Sequence, residues 1–222
     1  METSLVSYTV VITAALFNTT VFRQTWLERI GVLAPDSLLP GTVFADLAVM
    51  VNTARFQMSV VPQQLVLAPQ GEAEAGALVH DVVAKIVRAL PETPYTAAGI
   101  NFAWHLKQGP ERIEDVTRRL FASDRSPLAH DFEAADARFG AYMSKDVGGG
   151  VRLKLDMKPI RASASGTTVL EATMLMFNFH LDCQVKPNGA EAIVGLTERW
   201  ASFHEMASRL TRKLAEDGAG AS

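Results

Sequence analysis

Asn178, His180 and Asp182 stand at alternate positions near the end of the segment Val169 to Asp182. Successive side chains of a strand point to opposite faces, so these three share one face. A histidine beside a carboxylate suits acid–base work, and two of the three could ligate a metal. Neither use is complete. A further group has to come from elsewhere, with His105 and Asn101 as the candidates for a site dispersed over a sheet. The other reading is a polar sheet face that is solvated or meets a partner. His180, Asp182 and His105 are thus weak catalytic candidates, and the sequence leads to no expected metal site and no expected cofactor.

The remaining reactive types read as structural. Cys183 follows His180 by three positions, which places the two on opposite faces and disfavours a Cys–His dyad. It reads as a small, inert, buried thiol. His80 and His204 fall at the edges of helical apolar stripes and read as boundary residues. Gly148-Gly149-Gly150 leads into Val151-Arg152-Leu153-Lys154, a strand. A phosphate loop would need Gly-Lys-Ser/Thr opening a helix, so a hairpin turn is expected. No Gly-x-Ser-x-Gly, His-Glu-x-x-His, Gly-x-Gly-x-x-Gly or paired-cysteine motif occurs. Arg152, Lys154 and Lys158 share a strand face, with Arg161 nearby and Asp156 in the same row. Together with Asn178 they form a candidate interaction face, either solvated or meeting an acidic partner. Aromatics are not interleaved with these charges, as a single-stranded nucleic-acid platform would require.

Composition narrows the classes. Among 222 residues, 48% are hydrophobic, which suits a folded globular chain and not a disordered one. The net charge of −3 argues against a strongly basic nucleic-acid binder without excluding one. One cysteine allows no internal disulfide and no cysteine-rich zinc site, which favours a reducing compartment. The N-terminus lacks a basic segment and a cleavage signature, and no run reaches the roughly 18 apolar residues of a membrane span. A soluble, cytoplasmic protein is expected.

Apolar spacing supplies the elements that must hold these residues. Val6, Tyr8, Val10, Ile12, Ala14 and Leu16 alternate with mostly smaller or polar neighbours, a strand of period two. A short helix is expected over Val21 to Ile30, strands over Val43 to Asn52, Arg55 to Val60 and Leu65 to Ala68, and a helix over about 73–90. In that helix Val79, Val82, Val83, Ile86 and Leu90 make one stripe. Pro91 and Pro94 end it. The order then repeats: a strand Tyr95 to Leu106, a short helix Glu111 to Phe121, a hairpin Arg138 to Ser144 with Val151 to Met157, and the strand Val169 to Asp182. A closing helix is expected from Gly189 to Ala215, capped by Asn188 with Glu191. Its stripe of Ile193, Leu196, Trp200, Phe203, Ala207, Leu210 and Leu214 runs unbroken and packs either on the chain's own sheet or on a second copy.

The fold class expected is α+β, a largely antiparallel sheet with helices on one face. A two-fold pseudo-repeat is expected, each half running strand, short helix, three strands, long helix. One domain spans 1–222, built of halves 1–90 and 95–215, with 216–222 a flexible tail. The expected core is Val6, Val10, Ile12, Ile100, Phe102, Trp104, Ile193, Leu196, Trp200 and Phe203.

The chain resembles a sporadically distributed bacterial family of uncharacterised proteins. The likeness rests on the strand Val6–Leu16, Arg55-Phe56-Gln57-Met58-Ser59-Val60 with Gln64-Leu65-Val66-Leu67, Ala98-Gly99-Ile100-Asn101-Phe102, Ile113-Glu114-Asp115, and an aromatic followed by His204-Glu205. It implies an architecture and carries over no site.

The functional expectation is a non-enzymatic interaction or assembly protein that binds a protein partner through an apolar sheet or helix surface. Met174 and Met176 beside an aromatic helix suit adaptable binding. The alternatives are an enzyme with a dispersed site and a nucleic-acid-binding module. Because Val169–Asp182 is apolar on both faces over Met174 to Phe179, a homo-oligomer, most simply a homodimer, is expected to supply cover. The competing cover is the irregular segment Ala122 to Ala137.

Overall fold

Period-two and period-3.6 patterns sort the chain into strands and helices. A computed structural model describes residues 1–107, 109–123, 126–164, 168–186 and 188–219. The elements run β1 (Glu2–Ala14), α1 (Gln24–Arg29), β2 (Val43–Phe44), β3 (Val49–Asn52), β4 (Phe56–Val61), β5 (Gln64–Pro69), α2 (Ala75–Ala89), β6 (Tyr95–Lys107), α3 (Ile113–Phe121), β7 (Ala141–Asp146), β8 (Val151–Ala164), β9 (Thr168–Asp182), α4 (Gly189–Glu198) and α5 (Trp200–Ala219). Among the described residues the strands form one nine-stranded antiparallel sheet in the order β2-β3-β4-β5-β1-β6-β9-β8-β7. The fold is α+β, with helices packed against that sheet.

One parity of side chains makes the core. Val10 and Ile12 of β1, Ile100 and Phe102 of β6, Leu175, Phe177 and Phe179 of β9, and Val151 and Leu153 of β8 are buried. Over them lie α2, α4 and α5. The Phe203 ring stacks on Phe179 with centroids 4.2 Å apart, and Trp200 meets Phe102 edge-on at 4.9 Å. The apolar stripe of the closing segment is therefore turned onto its own sheet. His80 and His204 take the boundary positions expected of them: His80 shares a hydrogen bond of 3.0 Å with Thr197 between α2 and α4, and the His204 ring packs on Phe102 and Trp104. Segment 122–137, as far as it is described, is held by α3, where Arg112 donates to the Ala135 carbonyl and Arg118 to those of Phe132 and Ala134.

Several expectations need correction. Val6 is not core but 44% exposed. The β1–β6 register passes from Leu5 opposite Trp104 to Ser7 opposite Ala103, so Val6 is the extra residue of a bulge. Leu16 lies beyond the strand and is exposed, because the chain turns away after Ala14. Helix α1 begins at Gln24 rather than Val21: Asn18 caps a single 3-10 turn, and extended Arg23 intervenes to bind the Phe44 carbonyl and Asp46. The Val43–Asn52 strand is a hairpin, β2 with β3, closed by Ala45 donating to the Ala48 carbonyl. The closing helix breaks at Arg199, whose guanidinium reaches the Val147 and Gly148 carbonyls. The bend lets α4 run along α2 and lets α5 cross β1, β6 and β9. Of the expected flexible tail, residues 216–219 continue α5, and residues 220–222 lie outside the described residues.

Trp200→Ala is expected to destabilise by about 3–5 kcal/mol, as full removal of a buried large aromatic does, whereas Val6→Ala should stay within about 0.5 kcal/mol. Thermal or denaturant unfolding of both variants checks the two burials together; equal losses would contradict the bulge.

Candidate functional site

Side chains of the other parity on β1, β6, β9 and β8 face away from the helices and form rows across the sheet. Thr9 stands opposite Asn101, Asn101 opposite Asn178, Asn178 opposite Lys154, and Lys154 opposite Ser144. The next row runs Ser7, Ala103, Met176, Asp156, Tyr142, and the row on the other side runs Val11, Gly99, His180, Arg152, Asp146. Between the first two rows lies a groove of about 400 Å3, lined in part by Ser7, Asn101, Tyr142, Lys154, Met176 and Asn178.

The centre of this face is an amide ladder. Asn178 donates from Nδ2 to Asn101 Oδ1 at 2.5 Å, and Asn101 donates from Nδ2 to Thr9 Oγ1 at 3.4 Å. Half-buried amides of this kind need such partners, since an unpaired one costs about 1–3 kcal/mol. Gly99 makes room for the ladder. A Cβ there would stand 2.9 Å from Asn178 Nδ2, so any side chain would push the amide off Asn101.

The residues singled out from the sequence share this face but do not converge. His180 lies in the row of Gly99, whereas His105 lies opposite Met174, six residues further along β6. At the rise of a strand that is ~20 Å. Asp182 is exposed at the strand end, and its carboxylate accepts a hydrogen bond from the Gln184 N–H at 2.9 Å. Cys183 is buried, and burial pushes its thiol up to about 11, far from thiolate chemistry at neutral pH. Gly148, Gly149 and Gly150 all take positive φ in the β7–β8 turn, the hairpin that was expected. Among the described residues no three His, Cys, Asp or Glu side chains are grouped to hold a metal ion.

The basic residues divide. Lys158 sits 3.7 Å from Asp156, and Arg161 sits 3.3 Å from Glu171. Arg152 and Lys154 have no carboxylate within ion-pair distance among the described residues. Burial, and then the Lys154 ammonium, hold the His180 imidazole below its ordinary value, against the upward pull of Asp182. Burial and then Lys107 lower His105 likewise. Both imidazoles are therefore neutral near pH 7.

Sequence reasoning named Asn101 and Asn178 separately and missed that they are bonded, because cross-strand register is not written in either strand alone. It also missed Ser7, Ala103 and Tyr142 as groove walls. The small residues Ser7, Gly99 and Ala103 at open-face positions of the two central strands were the available signal. Compared with known proteins, the chain matches no protein-family model and no curated sequence. Among the described residues no helix is long and apolar enough to cross a membrane.

A histidine whose pKa falls on folding binds fewer protons folded than unfolded, so its contribution to stability is lost as pH drops through the unfolded value of 6.5 toward the lowered one. NMR titration is expected to find His180 and His105 both below 6.5. His180→Gln should lessen the fall in thermal midpoint between about pH 7 and about pH 5. A His180 value above 6.5 would show that Asp182 outweighs burial.

Proposed function

We propose that the chain is a non-enzymatic binding module that offers the open face of its sheet to an extended segment of a partner protein. The observation that carries this reading is the contrast between the faces: one is covered by α2, α4 and α5, and the other holds a groove beside two methionines and an amide ladder. The helix-borne alternative loses support because Ile193, Leu196, Trp200 and Phe203 are buried on the chain's own sheet. Lys154 and Arg152, without acidic partners, favour a segment that carries a carboxylate. Met174 and Met176 favour aliphatic neighbours to it. The separation of His105 from His180, and the turn-bound carboxylate of Asp182, weigh against acid–base catalysis. Asp146, Asp156 and Asp182 interleave with the cations of this face and weigh against a phosphate backbone.

Met176→Glu and Lys154→Glu are expected to abolish capture of the partner from host cells, with thermal midpoints near that of the parent. The α5 surface variant Arg209→Glu is expected to retain capture. Equal capture by all four chains would overturn the reading.

Self-association is the second part of the proposal, and the outer edge favours it. β7 pairs only with β8 among the described residues, and its Tyr142 and Met143 are exposed. Pairing of two β7 edges would join two sheets and leave the open faces bare. Light scattering is expected to give twice the chain mass, and Met143→Lys to halve it. A concentration-independent single-chain mass for the parent would remove the dimer. The same proposal includes duplication of the halves. From the centre outward, the order β1-β5-β4-β3 parallels β6-β9-β8-β7, the first half closing with α2 and the second with α4 and α5.

A further inference from the structure

Where the β7–β8 turn and the segment after β9 meet one face of α4, they border a pocket of about 290 Å3. Gly149, Lys186, Ala192, Gly195 and Arg199 are among its lining residues. We propose that this pocket binds a phosphoryl dianion between the Lys186 ammonium and the Arg199 guanidinium. The proposal does not rest on the docking role of the open face.

Three observations carry it. The first is a glycine that packing does not require. Gly195 lies inside α4, where glycine is the least favoured residue after proline. A Cβ there would meet nothing within 4 Å outside its own helix. Ala192, Gly195 and Arg199 stand at i, i+3 and i+7, on the helix face turned to the pocket. The missing side chain leaves room that nothing among the described residues fills.

The second is a pair of cations with no counter-charge between them. Arg199 donates to the Gly148 and Val147 carbonyls at 2.8 and 2.9 Å, which fixes the guanidinium and leaves its charge unopposed. A Cβ on Gly149 would stand 2.8 Å from Arg199 Nη1, and one on Gly150 would stand 2.6 Å from Lys186 Nζ. Neighbouring glycines thus hold both cations against one turn. Lys186 is half-buried, and its ammonium has no hydrogen bond or ion pair among the described residues. Nearby carboxylates are held by other donors: Asp146 by the Gly148 N–H, Asp182 by the Gln184 N–H and Glu191 by Arg88. Like charges so placed repel, and a bound anion replaces that repulsion with two attractions.

The third is the turn itself. Gly148, Gly149 and Gly150 all take positive φ, and the N–H groups of Gly149 and Gly150 donate to no acceptor among the described residues. Successive N–H groups in such turns favour anions. The glycines open a strand, so the two cations and these amides, rather than a helix N-terminus, supply the attraction. Together they suit the charge and the several acceptor oxygens of a phosphoryl group.

Titration with inorganic phosphate, read by calorimetry and by the Gly149 and Gly150 amide signals in NMR, tests the site. Glycerol phosphate serves as the monoester source of the same group. Saturable binding at one site per chain is expected, with both amides shifted and with affinity falling as salt rises. Lys186→Gln should weaken it by about two- to fivefold. Lys213→Gln, which removes an exposed cation of α5, should leave it unchanged. Gly195→Leu should block binding and raise the thermal midpoint in phosphate-free buffer. Tighter binding of the monoester would assign the group to an organic phosphate, and equal or weaker binding to free phosphate; either keeps the site. No saturable binding of either source, equal weakening by Lys186→Gln and Lys213→Gln, or a Gly195→Leu chain that binds fully or melts lower than the parent would overturn it.

Discussion

β1 and β6 pair along their whole lengths, from Glu2 opposite Lys107 to Ala14 opposite Tyr95, and this seam sits at the centre of the sheet. The strands that follow β1 in the chain start at one edge with β2 and return inward to β5 beside β1, and those that follow β6 start at the other edge with β7 and return inward to β9 beside β6. Each half alone would bury its apolar parity poorly, because α5 reaches across the seam to β1 and α4 packs along α2. Aromatic packing across the seam, Tyr8 with Trp200 at 6.2 Å and Phe17 with Tyr95 at 6.0 Å, joins the two sides through one core. The linker Pro91–Pro94 is only long enough to return the chain from α2 to the seam, where Ala15 donates to the Pro94 carbonyl.

Strand parity carries the functional consequence. Once the helices take the face of Val10, Ile100 and Phe179, their alternating neighbours must live beside water. The residues found there fit that demand: small side chains on β1 and β6, a bonded pair of amides, methionines, and long cations whose stems cover apolar surface. Asn101 and Asn178 are hydrogen-bonded to one another, which fixes the two amides relative to each other on this face. Neutral imidazoles on either side add hydrogen-bonding capacity without adding charge. On the function proposed above, this uncovered face is the surface that would meet a chain segment.

Much of this was legible from spacing. Alternation at Ile100, Phe102 and Trp104 located β6 and its buried face, and the stripe through Val79, Val82, Val83 and Ile86 located α2. What escaped depends on contacts distant in sequence. The bulge at Val6 is a property of the β1–β6 register, and nothing in Leu5-Val6-Ser7 announces it. The hairpin of β2 and β3 is set by Arg23 reaching over to the Phe44 carbonyl and Asp46, twenty or so residues away. Arg199 interrupts an otherwise continuous helical stripe because its guanidinium finds the turn carbonyls of Val147 and Gly148. The amide ladder was visible as residue types and invisible as a bond, since register decides which asparagine meets which.

Methionine chemistry distinguishes the two faces within one molecule. Met58 and Met157 point into the core and are 2% and 1% exposed, whereas Met174 and Met176 lie half-buried on the open face. Mild peroxide oxidation followed by peptide mass spectrometry reads all four at once. Faster oxidation of Met174 and Met176 than of Met58 and Met157 in the isolated protein is expected of a sheet with one bare face. Protection of Met174 and Met176 equal to that of the core pair would contradict it.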